Sequence, residues 1–171
     1  HFGSELVGAV GGAVITPGEE QSGGTGKIID ILDTPSIQWS RGTEVKEVEH
    51  LYSSFLYRAG IVHYPLDLSP VAHREESIFS HELHRAGYRL IVDTSIVTWH
   101  YRSSSGGIRS HQNEQFYYHD EQIFAIKMAG WGYKLINLNS GIGDHYAFLN
   151  ILSKRKERYG DKLLVGCCYP E

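Results

Sequence analysis

The chain has 171 residues, with 16 Lys+Arg against 20 Asp+Glu, a formal net charge of −4, and 41% hydrophobic and 12% aromatic residues. That is enough apolar material for a buried core and too little charge for a disordered chain. Mild acidity without a basic stripe argues against nucleic-acid binding, and no apolar run approaches the roughly 20 residues that span a bilayer.

Leu6 to Ile15 is a run of small and β-branched residues ended by Thr16-Pro17-Gly18, which predicts a strand buried on both faces. Residues 19–26 are rich in Gly, Ser and Glu and read as a surface loop. Two extended stretches follow, 44–52 and 53–57, before a loop through Pro65 and Pro70. Residues 75–86 predict a helix with Ile78, Phe79, Leu83 and Ala86 on one face and Gly87 just past its end. Residues 89–92 and 95–99 read as two strands with Asp93-Thr94 as the turn between them. A flexible loop, 103–107, leads to a second helix over 113–129, stopped at Gly130-Trp131-Gly132. The remainder reads as strand 134–138, glycine turn 139–144, helix 145–159 and strand 162–168, one βαβ unit. The expected domains are therefore 1–112, a connecting helix 113–132, and a Rossmann-like unit 133–171. Adjacent Cys167 and Cys168 are poorly placed to bridge each other, so they read as small apolar strand residues in a reducing, cytoplasmic setting.

Several groups could carry chemistry. Glu75 and Glu76 fall at the start of a helix, where carboxylates either complement the unpaired N–H groups or serve as a general base. His81 and His84 are three apart, whereas a helical zinc pair needs four, so they read as exposed helix histidines. His100 ends a strand, at the edge where α/β sheets hold ligands, although an ordinary core or surface histidine fits the same position. It is followed by Arg102 and by Gly106-Gly107-Ile108-Arg109, a glycine loop whose arginines either close over a diphosphate or remain solvated. Gly141 and Gly143 permit a tight turn that either leaves helix N–H groups free for an anion or only joins strand to helix.

Taken in order, Val10-Gly11-Gly12, residues 47–52 and 54–58, Arg74 to Ser80, Arg85 to Leu90 and Thr98-Trp99-His100 resemble the second half of family-2, GT-A-type glycosyltransferases. The resemblance implies an α/β fold: part of a GT-A-type mixed sheet flanked by helices. It implies an inverting transferase that moves a sugar from a nucleotide-sugar donor to a glycan or other hydroxyl acceptor. Glu76 matches the family's general base and Glu75 the acidic position before it. His100 matches a ligand of the divalent cation, Mg²⁺ or Mn²⁺, that holds the donor diphosphate. The family's nucleotide-binding half, with its Asp-x-Asp motif, is expected before residue 6. The sole methionine is Met128, which agrees with a slice of a longer chain. Residues 139–145 with 163–170 are similar to the opening βαβ of heptosyltransferase-like GT-B proteins, which implies an incomplete second unit. A non-catalytic carbohydrate- or nucleotide-binding module is the alternative function. A metal hydrolase is disfavoured because no histidine spacing fits a zinc site.

Overall fold

The structure is a computed structural model that describes Gly3 and residues 6–18, 41–52, 54–101, 114–138 and 141–167. It is a mixed α/β fold, with three α-helices among the described residues. The chain divides into two compact units, 1–121 and 122–171, and each is described by itself.

The first unit contains β1 (Val7–Ile15), β2 (Val45–Val48), β3 (Phe55–Tyr57), α1 (Glu75–Arg85) and β4 (Arg89–Trp99). The sheet order is β2-β4-β1-β3. The central pair β1/β4 is parallel, and β2 and β3 add antiparallel to β4 and β1. β1 is buried throughout except at half-buried Gly12, as its unbroken apolar run predicts. On one face Ala9, Leu90 and Val92 pack with Val48, Leu51, Phe79 and Leu83. Burying Phe79 and Leu83 contributes about 2–3 kcal/mol each. Val7, Val10 and Ile91 form a separate buried cluster.

α1 ends where the sequence places its stop. Gly87 has φ 91°; its N–H bonds to the His84 carbonyl, and that of Tyr88 bonds to Leu83, a Schellman motif. Ile78, Phe79 and Leu83 are buried as predicted, but Ala86 lies beyond the last helical turn and is exposed. The turn turns the chain back at once into β4, so α1 runs antiparallel to the strand it packs on.

The predicted turn at Asp93-Thr94 is instead part of a continuous β4. Pairing with β1 jumps from Gly12↔Asp93 to Ala13↔Val97, so Thr94, Ser95 and Ile96 bulge out of register. The turn chemistry is present, since Asp93 Oδ1 accepts from the Ser95 backbone N–H and hydroxyl. Buried Thr94 nevertheless stays in the sheet, exchanging bonds with Glu44 and accepting from Gly42. The bulge places the Ile96 carbonyl directly over Gly12, where a Cβ would collide with it. The extended stretch 44–52 is regular only over β2, and that over 53–57 only over β3.

α2 (Glu114–Gly130) crosses the division between the units. In the second unit β5 (Lys134–Leu138) pairs parallel with β6 (Leu163–Cys167) across α3 (Ile142–Tyr159), the expected βαβ order. α3 begins at Ile142 rather than 145, so Gly143 lies inside the helix and Gly141 is its N-cap. A 3₁₀ turn, Gly160–Lys162, precedes β6. Cys168 lies outside the described residues. Among the described residues no helix is long and apolar enough to cross a membrane.

Candidate functional site

The loop that enters α1 is held in an unusual backbone conformation. Ala72 (φ 50°) and Arg74 (φ 71°) are both left-handed, a geometry that costs a non-glycine residue about 1–2 kcal/mol. Buried Asp120 braces it from α2, accepting from the Ser69 N–H (2.7 Å), the Ser69 hydroxyl (2.8 Å) and the His73 N–H (2.8 Å). Glu121 Oε1 takes His73 Nε2 and Arg74 Nε, each at 2.8 Å. Burial pushes the Glu121 carboxyl up, but the His73 hydrogen bond and the Arg74 guanidinium outweigh it and hold it below the usual range. This frame sets the first residues of α1, Glu75 and Glu76, both half-buried. Their place in the first turn suits the helix dipole, and α1 has no side-chain cap.

A ladder of aromatic rings adjoins these carboxylates. Phe79 stacks with Tyr64 (4.1 Å, 9° between planes) and receives Tyr57 edge-on (4.8 Å, 70°). Glu75 and Glu76 precede Phe79 by four and three positions, so they share its side of the helix. The Tyr64 hydroxyl is raised above its usual pKa, first by burial, then by Tyr57 and by the charges of Glu75 and Glu76.

His100 stands at the carboxyl end of the parallel pair. Its N–H bonds to the Ile15 carbonyl (2.8 Å), which sets it beside Thr16. His100 Nδ1 and Thr16 Oγ1 are buried, and among the described residues neither has a hydrogen-bond partner. A buried polar atom left unpaired costs about 1–3 kcal/mol. A groove of about 320 Å³ on the same sheet is lined by Val10, Gly12, Phe55, Leu56, Ile96 and Thr98, and Thr98 is two residues before His100. α1, at 11 residues, covers about 16 Å. β4, of equal residue count, extends about twice as far. α1 therefore spans only about half the length of β4.

Among the described residues no three His, Cys, Asp or Glu side chains gather as a metal site. His100 could supply one nitrogen ligand and Thr16 one oxygen, short of the six or more that Mg²⁺ or Ca²⁺ takes. Arg102, Gly106, Gly107 and Arg109 lie outside the described residues. Gly141 and Gly143 sit at the start of α3, and a Cβ at either would meet nothing within 4 Å.

The reading of His81 and His84 as exposed is corrected. His81 is buried, and its Nδ1 donates to the Glu49 carbonyl at 2.8 Å; burial pulls its pKa below the usual value. His84 is half-buried, with its ring 5.8 Å from that of His81. The helix face that carries them clamps residues 49–51, where Ser80 Oγ accepts the Leu51 N–H at 2.8 Å.

The sequence reading missed Asp120 and Glu121. The available signal was spacing: Asp120, Phe124 and Met128 fall at i, i+4 and i+8, one helical stripe, and all three are fully buried. An acid on such a stripe requires donors from elsewhere in the fold. No family model, curated protein or solved structure matches the chain.

Proposed function

We propose that the chain is the acceptor-side half of an inverting glycosyltransferase of GT-A type, followed by the start of a Rossmann-like unit. The observation that carries this reading is the strained, fully braced loop that presents Glu75 and Glu76. Such strain gathers at functional sites, and a general base must be held in place to act. In this reading Glu76 takes the proton of an acceptor hydroxyl as its oxygen bonds to the anomeric carbon of the donor. The bond from that carbon to the diphosphate breaks on the opposite side, which inverts the configuration. Glu75 orients the acceptor from the neighbouring position.

At the far edge, the buried His100 Nδ1 is suited to the donor end. Mg²⁺ or Mn²⁺, when bound there, would neutralise charge on the leaving diphosphate. His100 would hold it with oxygens of the donor and of the nucleotide-binding half expected before residue 6. Arg102 and Arg109, on the Gly106-Gly107 loop, are proposed to pair with the diphosphate. The turn at Gly141 and Gly143 is a weaker anion site, because the protein itself demands no close approach there. We place the reaction in the cytoplasm.

In the full-length protein Glu76→Gln is expected to lower transfer by roughly 10²–10⁴-fold with donor affinity retained. His100→Ala should weaken donor binding only when Mn²⁺ is present. Unchanged turnover in the Glu76 variant would refute the assignment. The second reading is a non-catalytic carbohydrate-binding module, favoured by the exposed aromatic rings beside the carboxylates, which can hold a sugar without any chemistry.

A further inference from the structure

We infer that Tyr64 is the floor of a subsite for a neutral pyranose ring, so that the acceptor in the transferase reading is itself a sugar. The role as acceptor rests on that reading; the subsite does not.

The argument begins with rigidity. Phe79 is 1% exposed, and Tyr64 lies flat on it at 4.1 Å. Tyr57 meets both rings edge-on, at 4.8 Å from Phe79 and 6.3 Å from Tyr64. The Tyr64 plane is therefore fixed from beneath and from the side. Tyr64 is nonetheless 40% exposed and Tyr57 42%. With one face committed to Phe79, the exposure of Tyr64 belongs to its opposite face and edge.

The surroundings select the ligand. A flat π-face carries partial negative charge and attracts the C–H groups on one side of a pyranose. Glu75 and Glu76, on the same side of α1, are acceptors for hydroxyls at the ring's rim. Two carboxylates repel a phosphate or another anion, and a purely apolar ligand makes no use of either. A cationic ligand would use the carboxylates, but cations are typically held in cages of several aromatic faces, whereas here one stacking face is open. A ring with apolar faces and a hydroxylated rim satisfies both features at once.

Saturation-transfer NMR on the protein with methyl β-D-glucopyranoside, methyl β-D-galactopyranoside and the open-chain polyol sorbitol tests this directly. Sorbitol offers similar hydroxyls without a ring face. The glycosides should receive saturation on one ring face and sorbitol should not. Tyr64→Phe should retain binding within about twofold. Tyr64→Leu, which still covers Phe79 but offers no flat face, should lose roughly tenfold, the scale of one aromatic contact. Glycosides that bind no better than sorbitol, wild-type affinity in Tyr64→Leu, or displacement by tetramethylammonium would each overturn the inference. The two levels separate cleanly. Glycoside binding with no turnover of any nucleotide sugar in the full-length protein removes the transferase reading and leaves the subsite. Donor turnover without glycoside binding does the reverse.

Discussion

Ala72 and Arg74 hold left-handed backbone two positions apart, immediately before α1, and only the second has a side chain that needs to be there. The Arg74 guanidinium is bonded to Glu121, whereas the Ala72 methyl only adds the steric cost of positive φ. Ala72→Gly should therefore stabilise the fold by about 0.5–1 kcal/mol, after the greater freedom of glycine in the unfolded chain is subtracted. Arg74→Gly removes the same strain but strands Glu121 beside a lost charge, and should destabilise. Urea unfolding of the two variants should give midpoints shifted in opposite directions. A lower midpoint for Ala72→Gly would mean that the loop holds no strain. The carboxylate pair was legible at this scale, because Glu75 and Glu76 sit in sequence where a helix begins. Their brace was not, because Asp120 finds Ser69 and His73 only through the fold, across separations of 51 and 47 residues.

Elements were readable where their causes are local. The apolar spacing of α1 and its glycine stop lie within one short segment, and the structure shows the stop at Gly87 and buries Ile78, Phe79 and Leu83, though not Ala86. β4 was misread for the opposite reason. Asp93 and Ser95 carry real turn chemistry, but Thr94 pairs with Glu44, 50 residues away, and the sheet absorbs the turn as a bulge. Gly12 pays for that bulge with its side chain. Gly12→Ala would drive a methyl into the Ile96 carbonyl, which is backbone and cannot swing aside, at a cost of roughly 2–3 kcal/mol. Gly143→Ala, in the open first turn of α3, should instead stabilise by about 0.5–1 kcal/mol. Thermal unfolding of the pair checks both signs. A Gly12→Ala protein as stable as the parent would show that the bulge yields easily.

For the whole molecule, two buried or paired groups make stability fall on acidification in successive windows. The folded pKa of His81 is lowered by burial, so below its unfolded value of 6.5 the unfolded chain binds a proton that the folded one refuses. Stability is complete above that value and declines as pH falls toward the folded pKa. Glu121 is depressed below 4.5 despite burial, because His73 and Arg74 favour its charged form. Its contribution is present above 4.5 and is lost as pH falls through the folded pKa. Urea midpoints measured from pH 8 to pH 3 should show a plateau followed by two declines. His81→Gln, which can still donate to the Glu49 carbonyl, should remove the first decline and keep the second. A first decline of unchanged size in that variant would assign it to another group.

The sheet order has a consequence for self-association. Val7–Ile15 is apolar, uncharged and free of proline, although Gly8, Gly11 and Gly12 dilute its β-propensity. Exposed at a sheet edge, it would be a template for other chains. Among the described residues, the order β2-β4-β1-β3 instead places the nine-residue β1 and the eleven-residue β4 inside, and gives the outer positions to strands of four and three residues. β2 carries Lys46 and Glu47, each in an ion pair, with Glu44 and Arg89. After β3, Arg58 turns back to β1, its N–H on the Gly8 carbonyl and its Nε on that of Val7. β2 is short and charged, and β3, although apolar, is only three residues long, so each offers an incoming chain few ladder bonds. The most apolar strand of the sheet is thereby kept from pairing with other chains.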